Sequence, residues 1–322
     1  QTGVKGGTMH AVNATIASGK PLFAVVYRDS ADSSHEKVKG NLMLVHIENL
    51  VKRYGDLLAL DHLSLDIEEG EIFGLLGPNG SGKTTAINCL LALLKYDKGT
   101  ITIFGKDMKP DSYDIKQDIG VVMQNVAVFE QMSVYENIDY FCGLYIRDKQ
   151  KRRELVEEAI AFTGLSDFRK MRPKKLSGGL LRRLNIACGI VHKPRLIIMD
   201  EPTSALTRKE VDKLFRVIRQ LQGEGISVLF VSHKLDEVFE IADQFTVFRN
   251  GRHIVSDSAR NIDNDQFIYY MTGRKIEQDY FDPKDVDYNR SLFRVENLCL
   301  KNGFENISFD IHPGEILGIT GL

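Results

Sequence analysis

The chain has 322 residues, of which 43% are hydrophobic and 27% charged, and its net charge is −2, so roughly two soluble domains without a nucleic-acid-coating surface are expected. The four cysteines are far apart and form no C-x-x-C pair, which favours reduced thiols in a cytosolic protein. No apolar run reaches the ~20 residues of a membrane-spanning helix, so any membrane role is expected to depend on a separate partner.

The first 41 residues are predicted to form two short segments. Residues 1–27 combine a glycine turn, a short helix and the buried strand PLFAVVY, which indicates an α/β fragment. Residues 28–41 are polar and lack periodicity, which is typical of a linker. The fragment is too short to fold alone and has no basic, aromatic-rich surface, so a DNA-binding role is not expected of it.

Residues 42–273 are predicted to form one large domain in which strands alternate with helices. Apolar runs at 195–200 and 226–232 are typical of strands covered on both faces, and residues 84–94 carry an apolar helix face. A helix-rich subdomain is expected at about 125–190. The pattern predicts an α/β fold with a mostly parallel sheet.

Local signals mark the ends of several of these elements. Ser133 with Glu136, and Thr207 with Glu210, fit the capping box that begins a helix. The pair Asn250-Gly251 predicts a hairpin turn.

The end of the chain repeats an earlier pattern. The segment VHIENL at 45–50 matches FRVENL at 293–298, and EEGEIFGLLG is matched later by HPGEILGITG. Residues 274–291 are charged and are interpreted as a linker. We therefore expect residues 292–322 to form the N-terminal strands of a truncated second copy, which stops where its glycine loop would begin.

The segment GPNGSGKTT at 77–85 fits G-x-x-x-x-G-K-[ST], and it follows an apolar strand and precedes a periodic helix. Small residues let backbone N–H groups close around phosphates, and the start of the helix adds a positive dipole end. Lys83 is expected to reach the β- and γ-phosphates, and the Thr84 hydroxyl to ligate Mg²⁺.

Two carboxylates end the apolar strand at 195–200. Asp200 is expected near the Mg²⁺, because open α/β sheets bind ligands at the carboxyl ends of their strands. Glu201 is placed to polarise a water for attack on the γ-phosphate.

The segment LSGGLLRRLNIA at 176–187 places Ser177 at the start of a helix, before two glycines. Free N–H groups, a hydroxyl and little steric bulk predict a second anion-binding site there. Leu180, Leu184, Ala187 and Val191 are expected to pack inward, whereas Arg182 and Arg183 are placed elsewhere on the helix.

Six elements occur in an order and rough spacing that resemble the nucleotide-binding domain of ABC transporters: Tyr54, the phosphate loop, Gln124 in VVMQN, LSGG, LIIMDE and His233 in VSHK. The resemblance covers about 42–273. It implies a P-loop NTPase fold of the ABC type with a helical subdomain, which binds ATP and Mg²⁺. It also implies that two such domains sandwich two ATP molecules, each held by the phosphate loop of one domain and the LSGG of the other.

The resemblance further implies roles for single residues. Tyr54 would stack on adenine, Gln124 would sense Mg²⁺ and the attacking water, and His233 would hold the γ-phosphate. Leu180 stands where the family often has Gln, which predicts weaker hydrogen bonding. The implied sets are catalytic Glu201, His233, Gln124 and Lys83; nucleotide-binding Tyr54, Gly77, Pro78, Asn79, Gly80, Ser81, Gly82, Lys83, Thr84 and Thr85; metal-binding Thr84, Gln124 and Asp200; the signature Leu176, Ser177, Gly178 and Gly179; and the interface loop Ser204, Ala205 and Leu206.

The expected partners are membrane permease subunits and a second nucleotide-binding domain, without nucleic acid, and the expected location is the cytoplasm, peripheral on the inner face of the cell membrane. Residues 43–203 are similar to exporter ATPases, residues 204–322 to the tandem ATPases of simple-sugar importers, and residues 1–40 resemble the Rossmann-like domain of the DNA-processing protein A family. A natural fusion, a recombinant and an assembly error all fit this mixture.

The predicted function is ATP hydrolysis that powers a separate permease, with simple-sugar import as the first expectation. The alternatives are an exporter-type ATPase for drug, lipid or polysaccharide efflux, a soluble ABC ATPase outside transport, and an uncoupled hybrid.

Overall fold

The computed structural model describes residues 43–204, 206–259, 264–273, 286–300 and 303–319. The α/β fragment and first linker expected at residues 1–41 lie outside these ranges, as do residues 274–285 of the second predicted linker. The chain divides between Arg274 and Lys275 into two compact units. Within the described ranges, no helix is both long and apolar enough to cross a membrane.

The first unit is built from strands and helices that largely alternate along the chain. Two short 3₁₀ helices, Ser166–Phe168 and Pro173–Lys175, precede the helix that begins at Gly178. The elements are β1 (Met43–Tyr54), β2 (Leu57–Glu68), β3 (Ile72–Leu76), α1 (Lys83–Leu90), β4 (Lys98–Ile103), β5 (Lys106–Asp107), α2 (Tyr113–Lys116), β6 (Ile119–Val122), α3 (Val134–Gly143), α4 (Lys149–Phe162), α5 (Gly178–Ile190), β7 (Leu196–Asp200), α6 (Arg208–Gly223), β8 (Ser227–Ser232), α7 (Leu235–Ile241), β9 (Gln244–Arg249), β10 (Arg252–Ser258) and α8 (Asn264–Thr272).

The strands form one sheet in the order β5-β4-β1-β2-β10-β9-β3-β8-β7-β6. From β9 to β6 every neighbouring pair is parallel, as the sequence predicts. The other half differs from that prediction, because β1, β2, β4 and β5 pair antiparallel. A connection of only two residues, Gly55 and Asp56, joins β1 to β2, and so short a turn can join only antiparallel strands.

The central strands β3, β7 and β8 are buried along their whole length. On one face Phe73, Ile198 and Leu229 share a core with α1. On the other face Met199 and Phe230 share a core with α6 and α7. The apolar stripe predicted for α6 is confirmed by its buried residues Val211, Leu214, Phe215, Ile218 and Leu221. The parallel half of the sheet therefore holds its strand ends between two helical layers.

Helices α3, α4 and α5 form a separate core within the same unit. Both predicted capping boxes are present: Glu136 accepts from the backbone N–H of Ser133 at 2.7 Å, and Glu210 accepts from that of Thr207 at 3.0 Å. The predicted hairpin turn is also present, since Asn250 and Gly251 both have positive φ between β9 and β10. Positive φ at both central residues is the requirement of a type I′ turn.

The helix expected over residues 84–94 ends earlier, at Leu90. Ala92 has a φ of 49°, which is a left-handed conformation that stops the helix. The apolar residues that follow continue the helical spacing in sequence, but the backbone turns before they can extend the helix.

The second unit contains the antiparallel strands β11 (Phe293–Leu300) and β12 (Phe304–Ile311). Their register repeats that of β1 and β2: Arg294 pairs with Asp310 as His46 pairs with Asp66, with the matching shift of three positions in the first strand. The same irregularities recur, with Asn49 and Asn297 at φ values of 51° and 50°. Each of these asparagines donates its backbone N–H to a serine hydroxyl at 2.9 Å.

Candidate functional site

The loop between β3 and α1 turns sharply around its glycines. Gly80 and Gly82 have φ values of 78° and 108°, and Ser81 donates its backbone N–H to the Pro78 carbonyl at 3.1 Å. A Cβ at Gly82 would lie 2.7 Å from the carbonyl oxygen of Ala59, so a larger residue there would clash with the backbone unless the loop shifted. The loop therefore leads into the N-terminus of α1 with the backbone of small residues at its surface.

The Lys83 side chain is buried beneath this loop. Its Nζ donates to the carbonyls of Gly77 at 2.6 Å and Pro78 at 3.2 Å, and lies 4.0 Å from Oε1 of Glu201. Burial lowers the pKa of Lys83, whereas the neighbouring carboxylates of Glu201 and Asp200 raise it. The lysine thus links the loop to the carboxyl end of β7.

Asp200 and Glu201 are both buried at that strand end. Burial, and then the charge of Glu201, raises the pKa of Asp200, against the lowering effect of Lys83 and Arg182. Glu201 has a φ of 47°, a left-handed conformation that is unusual for a side chain of its size. Nδ1 of His233 lies 2.8 Å from both carboxylate oxygens of Glu201. Two side chains from other elements therefore fix the position of this carboxylate.

One cavity of about 620 Å³ brings most of the predicted residues together. Tyr54 stands at this cavity with its ring half exposed, and Nζ of Lys52 lies 5.2 Å from the ring centroid. The predicted lining residues are Tyr54, Asn79, Gly80, Ser81, Gly82, Lys83, Thr84, Thr85, Gln124, Asp200 and Glu201. Five further lining residues were not predicted from the sequence: residues 57–59, Asn250 and Gly251. The hairpin signal at Asn250-Gly251 was visible in the sequence, but nothing local indicated that it would meet the loop.

The predicted signature residues lie away from this cavity. Ser177 caps α5 by accepting the Leu180 N–H at 3.3 Å, and Gly179 donates its N–H to Glu210 at 3.0 Å. Ser177, Gly179 and Leu206 line a second cavity of about 240 Å³. Gly178 is exposed and Leu176 packs against the core of the helical subdomain. Among the described residues of one chain, the signature and the nucleotide loop therefore line different cavities.

The prediction for Arg182 is wrong. Arg182 was expected to lie away from the packed face of its helix, but its side chain is buried, with only 3% exposed. Its guanidinium donates to the carbonyls of Met123 at 2.8 Å, Gln124 at 3.1 Å and Glu201 at 3.0 Å, and to the Ser204 hydroxyl at 3.1 Å. Ala205, in the same predicted interface loop, lies outside the described residues.

The oxygen donors around the cavity suit a metal that arrives with a phosphate. Within the described ranges, no group of three or more His, Cys, Asp and Glu side chains could hold a metal ion. The Thr84 hydroxyl, the Gln124 amide and the Asp200 carboxylate all line the cavity. Mg²⁺ is usually bound through one or two carboxylates together with substrate phosphates, and this set fits that chemistry.

Comparison with known proteins identifies the fold. Residues 60–204 match the model of a family described as "ABC transporter". The chain is 35% identical over 287 residues to the ribose import ATP-binding protein RbsA of Clostridium tetani, covering 86% of this chain and 56% of that protein. It is 34% identical to the galactose/methyl galactoside import ATP-binding protein MglA 1 of Photobacterium profundum, covering 88% of this chain and 58% of the relative. The chain therefore spans a little over half the length of these curated relatives.

Solved structures show the same architecture. The cbiO1 protein of Clostridium perfringens, part of the ABC transporter complex cbiONQ, superposes with a TM-score of 0.64 at 27% identity, covering 68% of this chain and 89% of that one. A dimeric ATP-binding cassette in a post-hydrolysis state with ADP and Pi superposes with a TM-score of 0.61 at 27% identity, covering 68% and 100% of the two chains. The domain described at residues 43–273 is therefore an ATP-binding domain of the ABC transporter family.

Proposed function

We propose that the chain is an ATP-binding and ATP-hydrolysing subunit of an ABC transporter, which powers a separate membrane permease. One observation carries the proposal: a single cavity joins a glycine-rich phosphate loop, a buried lysine and two buried carboxylates at the end of the neighbouring strand. This combination provides backbone N–H groups and a positive charge for phosphates, together with carboxylates for a metal and a water.

Binding would begin at the loop over residues 77–85. Its N–H groups and the N-terminus of α1 would surround the β- and γ-phosphates, and the ammonium of Lys83 would offset their charge. The exposed ring of Tyr54, at the same cavity, would stack on the adenine. Thr84, Gln124 and Asp200 would hold Mg²⁺, which supplies charge neutralisation at the phosphates when bound.

Hydrolysis would depend on Glu201. Its carboxylate lies at the cavity and can accept a proton or a hydrogen bond from the attacking water. The contact of His233 Nδ1 with both carboxylate oxygens fixes the orientation of this group. Once phosphate is present, His233 would turn its other ring nitrogen toward the γ-phosphate.

A second domain is needed to complete each site. Ser177 and Gly179 line another cavity in this chain, so their role at ATP requires a partner domain whose signature reaches the phosphate loop from outside. The dimeric cassette with ADP and Pi supports this arrangement. We also propose that residues 292–322 begin a second copy of the domain, since β11 and β12 repeat the register of β1 and β2.

The cargo we propose is a simple sugar. The relatives named above are import ATP-binding proteins for ribose and for galactose or methyl galactoside, and the matches extend over most of this chain. A permease partner and a position on the inner face of the membrane belong to the same proposal, because an import ATP-binding protein needs a membrane component through which its cargo passes. Efflux by an exporter-type system remains the alternative that the resemblance of residues 43–203 predicts.

The mechanism can be tested by size-exclusion chromatography of Glu201→Gln with and without Mg-ATP. Loss of the base should trap ATP between two protomers, so we expect a dimer only with Mg-ATP. Lys83→Ala in the same background is the matched control and should stay monomeric, because it cannot hold the phosphates. Bound ATP without any dimer would contradict the sandwich arrangement.

The cargo requires a transport assay. In liposomes that contain the chain with its permease, a sugar importer should hydrolyse ATP faster when ribose or galactose is presented with its binding protein. Stimulation by an efflux substrate, and none by sugars, would favour the exporter alternative.

A further inference from the structure

Arg182 is a buried cation that the proposed chemistry of ATP does not use directly. It lies on the second turn of α5 and reaches three segments far away in sequence. Nη1 donates to the Met123 carbonyl, while Nη2 donates toward the Gln124 carbonyl, the Glu201 carbonyl and the Ser204 hydroxyl. These four acceptors are neutral, so Arg182 holds them by hydrogen bonds, whereas its charge acts separately on the Asp200 carboxylate, whose pKa it lowers.

The segments that meet at this guanidinium each carry a proposed role in hydrolysis. Gln124 is a proposed metal ligand, Glu201 is the proposed base, and Ser204 belongs to the proposed interface loop. Arg182 binds Gln124 and Glu201 through their backbone carbonyls, so it does not occupy the side chains that carry these two roles. Ser204 in turn donates its hydroxyl to the Glu201 carbonyl at 3.0 Å, which closes the network.

A second contact from the same helix reinforces this one. Asn185 lies three residues further along α5, is buried, and donates to the Met123 carbonyl at 3.3 Å. The segment after β6 is therefore tied to the same face of α5 by two side chains. The Glu201 backbone adds to the need for such support, because its left-handed conformation persists only when its surroundings hold it.

We propose that Arg182 is a positioning residue that holds the Gln124 segment, the Glu201 backbone and Ser204 against α5. Through these hydrogen bonds, nucleotide contacts at the signature end of α5 affect the positions of the Gln124 and Glu201 side chains. This inference rests on the proposed function. A guanidinium suits the task because its planar fork donates in several fixed directions at once, which an ammonium cannot reproduce.

The test compares Arg182→Met and Arg182→Lys with the control Arg183→Met in the full chain. Arg183 is the next residue of α5, and it also donates to two carbonyls, those of Thr163 and Gly164, at 3.1 and 3.2 Å. Arg183→Met therefore removes two arginine hydrogen bonds from the same helix, against four for Arg182→Met, and neither of the two involves the hydrolytic segments. Melting temperatures would show whether each variant folds.

Hydrogen exchange is measured first, because it does not depend on ATPase activity. In Arg182→Met we expect amide exchange over residues 123–127 and 201–206 to rise at least about tenfold, because one lost charge-assisted hydrogen bond already accounts for that factor and each segment loses two. In Arg183→Met the rise should be confined to residues near 163–165. Unchanged exchange at 123–127 and 201–206 in Arg182→Met would overturn the proposal.

Steady-state hydrolysis then tests the functional part. We expect Arg182→Met to lower kcat by about tenfold or more with KM within about threefold, since Arg182 does not line the ATP cavity. Arg182→Lys should stay close to Arg182→Met, whereas Arg183→Met should keep the wild-type kcat. Full rescue by lysine, or equal losses in both arginine positions, would overturn the positioning role. A wild-type chain without ATPase activity would instead refute the proposed function, and the exchange data would still decide whether Arg182 ties these segments together.

Discussion

The glycines of the phosphate loop allow a controlled test of why the loop needs them. Gly80 and Gly82 both have positive φ, at 78° and 108°, but they differ in the space around them. A Cβ at Gly80 meets nothing within 4 Å, whereas a Cβ at Gly82 would lie 2.7 Å from the Ala59 carbonyl oxygen and 3.1 Å from Leu60 Cδ2. Alanine at the two positions therefore separates backbone strain from a steric clash.

Backbone strain and steric clash together set the free-energy cost of each alanine substitution. Gly80→Ala should cost about 1 kcal/mol, the usual penalty for a left-handed alanine. Gly82→Ala should cost about 4 kcal/mol, because strain of about 2 kcal/mol is joined by overpacking of about 2 kcal/mol against a backbone atom that cannot turn aside. If the loop shifts to relieve the clash, part of this cost appears as weaker nucleotide binding.

The assay pairs urea unfolding with titration of a fluorescent ATP analogue. The sum of lost stability and lost binding free energy should be about 3 kcal/mol larger for Gly82→Ala than for Gly80→Ala. Equal losses for the two variants would refute the argument, because both would then reflect φ alone.

Three further outcomes are expected. Asp200→Asn should abolish Mg-dependent hydrolysis and raise the melting temperature above that of the wild type, by more at pH 7 than at pH 4. The reason is that the folded pKa of Asp200 is raised, so the stability that its protonated form contributes at low pH is lost as pH rises through that pKa. A melting-temperature difference between variant and wild type that shrinks toward pH 7 would refute this. A thiol reagent at pH 8 should modify only the exposed Cys299 quickly in the native protein, and all four cysteines after unfolding. The other three, Cys89, Cys142 and Cys188, are buried, and burial raises the pKa of Cys89 and Cys142 to about 11. A second cysteine that reacts quickly in the native protein would contradict this packing. Phe230→Ala should lower the free energy of unfolding, measured in urea, by about 4 kcal/mol. Phe230 is fully buried, and its ring packs edge to face against that of Phe215 with 5.9 Å between the ring centroids. A loss under about 1 kcal/mol would mean that neighbouring side chains fill the cavity.

Local chemistry explains which features were predictable from the sequence. The phosphate loop, the buried strand before Asp200, the capping box at Ser133 and the turn at Asn250-Gly251 each depend on residues within a few positions of one another. Periodicity also predicted the buried stripe of α6.

What was missed depends on distant partners. Arg182 binds atoms 19 to 59 positions away, and an arginine among leucines gives no local sign of buried acceptors. The antiparallel half of the sheet was missed because the short connection at Gly55 and Asp56, which joins β1 to β2, was not recognised as a turn between paired strands. The helix beyond Leu90 was over-extended because spacing alone does not register a left-handed residue such as Ala92.

The twin hairpins have a consequence for how this domain assembles. The pairing of β1 with β2 and that of β11 with β12 reach the same alignment in different sequence contexts, through the same left-handed asparagine and the same bond to a serine hydroxyl. An alignment set by such short-range contacts involves little loop-closure entropy, so these strands can pair early on the folding pathway. A duplicated segment can therefore form the same strand pair at its new place in the chain, without the long-range contacts of the parallel strands.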